Sequence, residues 1–166
     1  MSTIAEIRVA TEADAEGIAA VFAPYVTGSV VTFETTPPTS DQWRAKIRES
    51  DLPFLVLAGA KVLGYALAAP WRPKPAYRHT VETTIYLAPE AAGQGYGRRL
   101  LDELLERCTE AGARQAIAVV VDSGSPASRK LHSAAGFTEA GVLRRVGFKH
   151  GRWLDTVLMQ RELGRR

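Results

Sequence analysis

The sequence predicts one α/β domain in which helices flank a mixed sheet. Strand-like apolar segments and segments with helical periodicity alternate along the chain in the order β-α-α-β-β-β-α-β-α-β-β. The 166 residues are enough to bury a core without disulfide or metal staples. No repeat, linker or low-complexity tract interrupts this order. We therefore treat residues 1–166 as a single domain.

The N-terminal segments predict a strand followed by two helices. Residues 6–10 alternate polar and apolar side chains, as a half-buried strand does. Thr11 then caps a segment with acidic residues in its first turn and apolar residues at helical spacing. The polar, Pro-rich loop 27–40 follows, and Ser40 or Asp41 starts a short helix. A loop this long is a candidate wall of a substrate site.

The middle of the chain predicts a hairpin and a further strand. Phe54–Ala58 and Val62–Pro70 are apolar segments separated by the turn Gly-Ala-Lys. A second Pro-broken loop, 71–80, leads into residues 81–87. Their β-prone side chains favour a strand that stops at Pro89.

The C-terminal part predicts two helices and three strands. Apolar residues recur at helical spacing over residues 96–111, and Gly112 ends that helix. Residues 116–121 form a continuous apolar run, which is typical of a strand covered on both faces. A short helix ends at Gly136, and the last two strands flank the two-residue turn 150–151.

Composition favours a cytoplasmic protein that binds small molecules. No apolar run approaches the roughly 18 residues that span a bilayer, and the N-terminus lacks the pattern of an export signal. Cys108 is the single cysteine and has no internal disulfide partner. The net charge of +3 comes from scattered basic residues. It suits an anionic ligand without indicating nucleic acid.

The segment Ala-Ala-Gly-Gln-Gly-Tyr-Gly-Arg-Arg-Leu, residues 91–100, places glycines at three alternating positions. A dinucleotide fingerprint is excluded because its third glycine would fall on Leu100. A P-loop is excluded because Arg98 and Arg99 stand where Lys and Ser or Thr are needed. A plain turn needs only one such glycine. The spacing therefore favours an anion held by main-chain N–H groups at a helix start, although glycine-rich turns without a ligand also occur.

In its context after Val-Glu-Thr-Thr-Ile-Tyr-Leu-Ala-Pro-Glu, the glycine segment resembles the pyrophosphate loop of GNAT N-acetyltransferases, Arg/Gln-x-x-Gly-x-Gly/Ala. The two glycines of that pattern match Gly95 and Gly97, whereas Ala92 replaces the leading Arg or Gln. The segments 31–43, 69–87, 128–137 and 144–163 resemble the phosphinothricin and methionine sulfone or sulfoximine acetyltransferases within that family.

This resemblance implies a GNAT fold, with a mixed, mostly antiparallel sheet, and a homodimer. It implies direct transfer of acetyl from acetyl-CoA to the α-amino group of a small amino-acid analogue, without an acetyl-enzyme. Main-chain N–H groups of the glycine segment would hold the pyrophosphate, and one near Tyr86 or Leu87 would polarise the thioester carbonyl. Ser125 replaces an asparagine that contacts the pantetheine arm in many members. The implied donor-site residues are Ile85, Tyr86, Leu87, Gly93, Gln94, Gly95, Tyr96, Gly97, Arg98, Ser125 and Ser128.

Two side chains are the candidates for proton transfer. An amine must lose a proton before it attacks acetyl-CoA, so the reaction needs a base. Glu82 lies on the strand before the glycine segment and matches the catalytic glutamate of the family. His132 is similar to the family's active-site histidine and would pass a proton to the departing thiolate or take one from the amine. If they have no catalytic role, Glu82 is a solvated carboxylate on a strand and His132 is a partly buried histidine of a helix.

The acceptor's carboxylate and phosphinyl or sulfone oxygens require cationic or hydrogen-bonding partners. The predicted acceptor residues are Phe33 as an apolar wall, with Arg72, Lys74, Tyr77, Arg78 and His79 from the second loop. The histidines and Cys108 lack metal-ligand spacing, so no metal is predicted.

Two other functions remain open from the sequence. A GNAT enzyme of the same fold would acetylate a protein, peptide or polyamine, and an acidic acceptor pocket would favour polyamines. A non-catalytic acyl-CoA-binding domain would bind CoA without transferring acetyl to any amine. The departures at Ala92 and Ser125 are the features that agree with it.

Overall fold

The strands and helices follow one another in the order that the sequence pattern predicts. The computed structural model describes residues 4–164. The strands are β1 (Glu6–Val9), β2 (Phe54–Ala58), β3 (Val62–Pro70), β4 (Thr80–Leu87), β5 (Gln115–Val121), β6 (Thr138–Lys149) and β7 (Arg152–Glu162). The helices are α1 (Ala15–Gly28), α2 (Ser40–Glu49), α3 (Tyr96–Glu110) and α4 (Ala127–Ala134). Single 3₁₀ turns lie at Glu12–Asp14, Pro75–Tyr77 and Pro89–Ala91.

The seven strands form one mixed sheet in the order β1-β2-β3-β4-β5-β7-β6. The pair β4 and β5 is parallel, and the other neighbouring pairs are antiparallel. The predicted mixed, mostly antiparallel sheet is confirmed. The β4–β5 pairing runs from Thr80 opposite Gln115 to Thr83 opposite Ala118, while β3 stays paired with β4 as far as Leu87. The sheet is therefore open between β4 and β5 beyond Thr83.

Each face of the sheet carries its own apolar core. Leu100, Leu101 and Leu104 of α3 pack on one face together with Val81 of β4. On the other face, α1 and α2 enclose an aromatic cluster that includes Tyr86. Because side chains alternate along a strand, the odd-numbered residues of β4 face α3 and the even-numbered ones face α1 and α2. We call these the α3 face and the α1–α2 face.

Strand β5 corrects one prediction, because its apolar run is not covered on both faces. Ala116, Ala118 and Val120 are buried on the α3 face, but Val119 is 39% exposed on the other. The apolar cluster under α1 and α2 takes its sheet residues from β2, β3 and β4. The two helices therefore end their coverage before β5, which a continuous apolar run does not reveal.

Local signals fixed several boundaries correctly. Helix α2 begins at Ser40 as predicted, and its cap is Thr39, whose Oγ1 accepts a hydrogen bond from the Gln42 N–H at 3.1 Å. Gly112 ends α3 with a left-handed φ of +101°. His150 and Gly151 both have positive φ, as a two-residue hairpin turn requires. Among the described residues, no helix combines the length and apolarity needed to cross a bilayer.

Candidate active site

The open half of β4 presents main-chain groups instead of a paired strand. The Ala88 N–H donates to the Leu63 carbonyl at 2.8 Å, and the Trp71 N–H donates to the Thr80 carbonyl at 3.2 Å. In an antiparallel pair, successive residues direct their main-chain groups to opposite sides. Even-numbered residues of β4 therefore bond to β3, and Ile85 and Leu87 point towards the opening.

This alternation distinguishes the residues predicted to contact the donor. Tyr86 lies opposite Tyr65 of β3, so its N–H faces that strand, and its ring belongs to the aromatic cluster of the α1–α2 face. The Leu87 carbonyl accepts a hydrogen bond from the Tyr25 hydroxyl. The N–H groups of Tyr86 and Leu87 are the two candidates for polarising the thioester carbonyl. Of these two, the Leu87 N–H is directed at the opening.

The glycine segment connects β4 to α3 with two left-handed residues. Gly93 has a φ of +76° and Gly95 a φ of +79°, and a Cβ built on either would meet no atom within 4 Å. The lack of a side chain at these two positions therefore permits the left-handed backbone and leaves open space beside it. Gly97 differs, because a Cβ there would lie 3.4 Å from Leu87 Cδ1 and 3.5 Å from Leu131 Cδ2. A Cβ at this position would therefore make ordinary contacts with β4 and α4.

The first turn of α3 is suited to an anion. The Arg99 N–H donates to the Gly95 carbonyl at 3.3 Å, so the N–H groups of the three preceding residues have no acceptor within the helix. No acidic residue lies in this turn. The exposed segment and the positive end of the helix dipole fit a pyrophosphate. Ala92 adds no side-chain donor, and the Gln94 amide donates to the Glu90 carbonyl at 3.0 Å.

Helix α4 lies beside α3, and its Leu131 side chain lies next to Gly97. Ser125 and Ser128, at its start, are both exposed. The Ser125 hydroxyl accepts a long hydrogen bond of 3.4 Å from the Ala127 N–H, as in a serine turn before the helix. Gly97 therefore adjoins both Leu87 of β4 and Leu131 of α4.

Glu82 lies on the α1–α2 face and is half-buried. Burial raises the pKa of its carboxyl above the ordinary value, and the positive charges of Arg72 and Lys46 partly oppose this effect. A raised pKa makes the carboxylate a stronger base than a solvated glutamate. Lys46 is not among the residues chosen from the sequence, where it reads as an exposed residue of α2. Its ammonium lies 5.5 Å from the centroid of the Trp43 ring.

His132 lies on the α3 face, where its side chain is 3% exposed. Its Nδ1 is 2.7 Å from the Ser128 carbonyl, and its ring meets the edge of Phe137 at a centroid distance of 5.1 Å. Burial lowers the pKa of the imidazole, and the Ser128 carbonyl partly opposes this. A neutral ring that donates from Nδ1 keeps Nε2 as a proton acceptor. Glu82 and His132 therefore occupy opposite faces of the sheet, on either side of its opening.

Of the six residues predicted to bind the acceptor, two have contacts that bear on the site and four are simply exposed. Arg72 stacks on the Trp71 ring, 4.0 Å from its centroid, and its charge acts on Glu82. Phe33, in the connection between α1 and α2, contacts the backbone of Gly147 in β6. The other four are exposed residues of the β3–β4 connection: Lys74, Tyr77, Arg78 and His79. Within residues 4–164, no group of three or more His, Cys, Asp or Glu side chains is arranged to hold a metal ion.

A model of the acetyltransferase (GNAT) family matches residues 18–137. The chain belongs to this family. The match includes Glu82, the glycine segment and α4. The family resemblance in the sequence is confirmed, and the protein is an acetyltransferase whose co-substrate is acetyl-CoA.

Individual GNAT relatives match almost the whole chain. A phosphinothricin N-acetyltransferase of Alcaligenes faecalis is 49% identical over 161 residues, which are 95% of this chain and 82% of the relative. An L-methionine sulfoximine/L-methionine sulfone acetyltransferase of Pseudomonas paraeruginosa is 37% identical over 164 residues, 96% of this chain and 95% of the relative. A phosphinothricin acetyltransferase from Sinorhizobium meliloti, solved in complex with AcCoA, has a TM-score of 0.88 and 44% identity, and covers 96% of this chain and 89% of its own.

The glycine cradle can be tested against a matched position at the other end of α3. We expect Gly95→Ala to weaken CoA binding about tenfold, because an alanine resists the φ of +79° that directs the first-turn N–H groups. Gly112→Ala imposes similar strain at a φ of +101° but lies away from the cradle, so its CoA affinity should equal that of the wild type. Calorimetry with CoA, together with thermal unfolding, measures both effects. Equal affinities of the two variants would contradict the cradle.

Proposed function

We propose that this GNAT acetyltransferase moves acetyl from acetyl-CoA to the α-amino group of a small amino-acid analogue of the phosphinothricin, methionine sulfoximine or methionine sulfone type. The observation that carries the proposal is the half-buried Glu82, flanked by the cationic Arg72 and Lys46, on the face opposite the donor cradle. The names of the relatives that match nearly the whole chain support this acceptor class.

Glu82 acts as the general base, with water carrying the proton where the amine does not reach it. The neutral amine attacks the thioester carbon, an N–C bond forms, and the C–S bond breaks to release a thiolate. Burial raises the pKa of this carboxyl, so its ionised form binds a proton more readily than a solvated glutamate does. Arg72 is the best placed of the predicted cations to pair with the acceptor's carboxylate.

The donor side contributes hydrogen-bond donors and a proton acceptor. The first-turn N–H groups of α3 hold the pyrophosphate, and the Leu87 N–H faces the developing oxyanion. His132 accepts a proton at Nε2 and then passes it to the departing thiolate, since its Nδ1 donates to the Ser128 carbonyl. We infer direct transfer, because the one cysteine, Cys108, is fully buried and its pKa is raised to about 12. A thiol in that state does not carry an acyl group.

The acceptor class is tested by thiol release with acetyl-CoA and a panel of amines. We expect turnover with at least one of phosphinothricin, methionine sulfoximine and methionine sulfone, because each pairs an α-amine with a carboxylate. Polyamines should react poorly, since the three cations Arg72, Lys74 and Arg78 of the acceptor loop repel them. Turnover of peptides or polyamines but not of the three analogues would replace this proposal with the broader amine reading. CoA binding without turnover of any amine would indicate a non-catalytic domain.

We also propose that the protein is cytoplasmic. We propose further that it forms a homodimer through the outer surface of the β6–β7 hairpin. Strand β6 is an edge strand of 12 residues. Phe148 is 57% exposed and Trp153 is 66% exposed, and their rings lie 5.0 Å apart. Val142 and Val146 of β6 are exposed as well. An exposed edge with large apolar side chains favours burial against a second copy.

Sedimentation velocity tests the dimer. The wild type should sediment as a dimer, and Trp153→Glu should shift it towards the monomer because a carboxylate would be buried in the contact. Val9→Glu is the matched control, since Val9 is 55% exposed on β1 at the opposite edge of the sheet. A monomeric wild type, or an equal effect of the two substitutions, would contradict this interface.

A further inference from the structure

A buried lysine joins the end of β6 to the connection between α1 and α2. Lys149 is 5% exposed, and its ammonium donates to the Thr32 carbonyl at 2.8 Å. The two residues are 117 positions apart in the sequence. A buried ammonium is costly unless it is hydrogen-bonded, so the contact holds Thr32 in place. The negative charge of Glu34 also acts on this ammonium.

The neighbouring residue of the same connection rests on a glycine of the same strand. A Cβ built on Gly147 would lie 2.7 Å from Phe33 Cε1 and nearer still to Cζ. The Phe33 ring therefore occupies the place where any other residue would carry its side chain. The ring remains 38% exposed, so part of it faces outward from this contact.

The other side of Thr32 meets β4. Burial raises the pKa of the Tyr86 phenol, and the Thr32 side chain lies close enough to lower it in part. Tyr86 belongs to the α1–α2 face of β4, the face that carries Glu82. The Thr32 hydroxyl also accepts a hydrogen bond from the Glu34 N–H at 3.2 Å, which fixes the turn. Thr32 thus interacts with both Tyr86 of β4 and Lys149 of β6.

We propose that Gly147 and Lys149 are positioning residues for the acceptor. They seat Thr32 and Phe33 over the α1–α2 face and thereby set the room left beside Glu82. Gly147 determines how closely the Phe33 ring approaches β6, and Lys149 holds the backbone of the preceding residue, Thr32. The proposal rests on the proposed function because it makes Phe33 a wall of the acceptor space.

A double-mutant cycle tests the seat of Phe33. Gly147→Ala places a methyl group where the ring lies and forces the ring outward, so we expect the KM for the acceptor to rise about tenfold while the KM for acetyl-CoA stays unchanged. In a Phe33→Ala background the same substitution should change the acceptor KM by less than about twofold. Gly141→Ala is the control on the same strand, because a Cβ there meets nothing within 4 Å.

Amide hydrogen exchange tests the role of Lys149 and needs no acceptor substrate. Lys149→Met should speed amide exchange in residues 29–39 severalfold, because the Thr32 carbonyl loses its donor. Lys149→Arg, which keeps a donor, should restore part of the protection, and Lys61→Met, at an exposed lysine, should leave it unchanged.

These outcomes separate the inference from the acceptor hypothesis. Unchanged exchange in Lys149→Met would overturn the seat whether or not an acceptor is known. An equal effect of Gly147→Ala with and without the Phe33 ring, or a rise in the KM for acetyl-CoA instead, would overturn it as well. If no analogue is turned over but exchange rises in both Lys149→Met and Gly147→Ala, the seat stands and the acceptor class fails.

Discussion

The site depends on the parting of β4 from β5 after Thr83. Up to that residue the two strands pair in parallel, and beyond it β4 is bonded to β3 alone. The main-chain groups of Ile85 and Leu87 are thereby directed at the opening instead of a neighbouring strand. The same opening connects the two faces of the sheet. Donor and acceptor can therefore approach one strand from opposite sides, with the glycine cradle on one side and Glu82 on the other.

Burial adjusts the two candidate proton-transfer groups in opposite directions. It raises the pKa of Glu82, which makes the carboxylate more basic, and it lowers the pKa of His132, which keeps the imidazole neutral. Both shifts follow from the cost of removing a charge from water. The cations Arg72 and Lys46 partly oppose the upward shift at Glu82. The two directions agree with the proposed roles of Glu82 as a base and of His132 as a neutral imidazole.

Local patterns predicted the elements and the cradle, whereas long-range contacts escaped them. Periodicity located α3, and the predicted helix stop at Gly112 is confirmed by its positive φ. The prediction that residues 116–121 are covered on both faces is wrong, because an apolar sequence does not show which faces the helices cover. Lys46, Gly147 and Lys149 gave no sequence signal, since their partners lie on distant segments.

The most direct test of the account is the pH dependence of kcat/KM for Glu82→Gln beside the wild type. The base acts when ionised, so wild-type activity should fall as the pH drops through a carboxyl pKa above the ordinary value of about 4.3. Glu82→Gln should lose about a hundredfold in kcat and also lose that ionisation, which leaves only the titration of the acceptor amine. A loss of less than about tenfold, with the wild-type pH profile retained, would contradict Glu82 as the base.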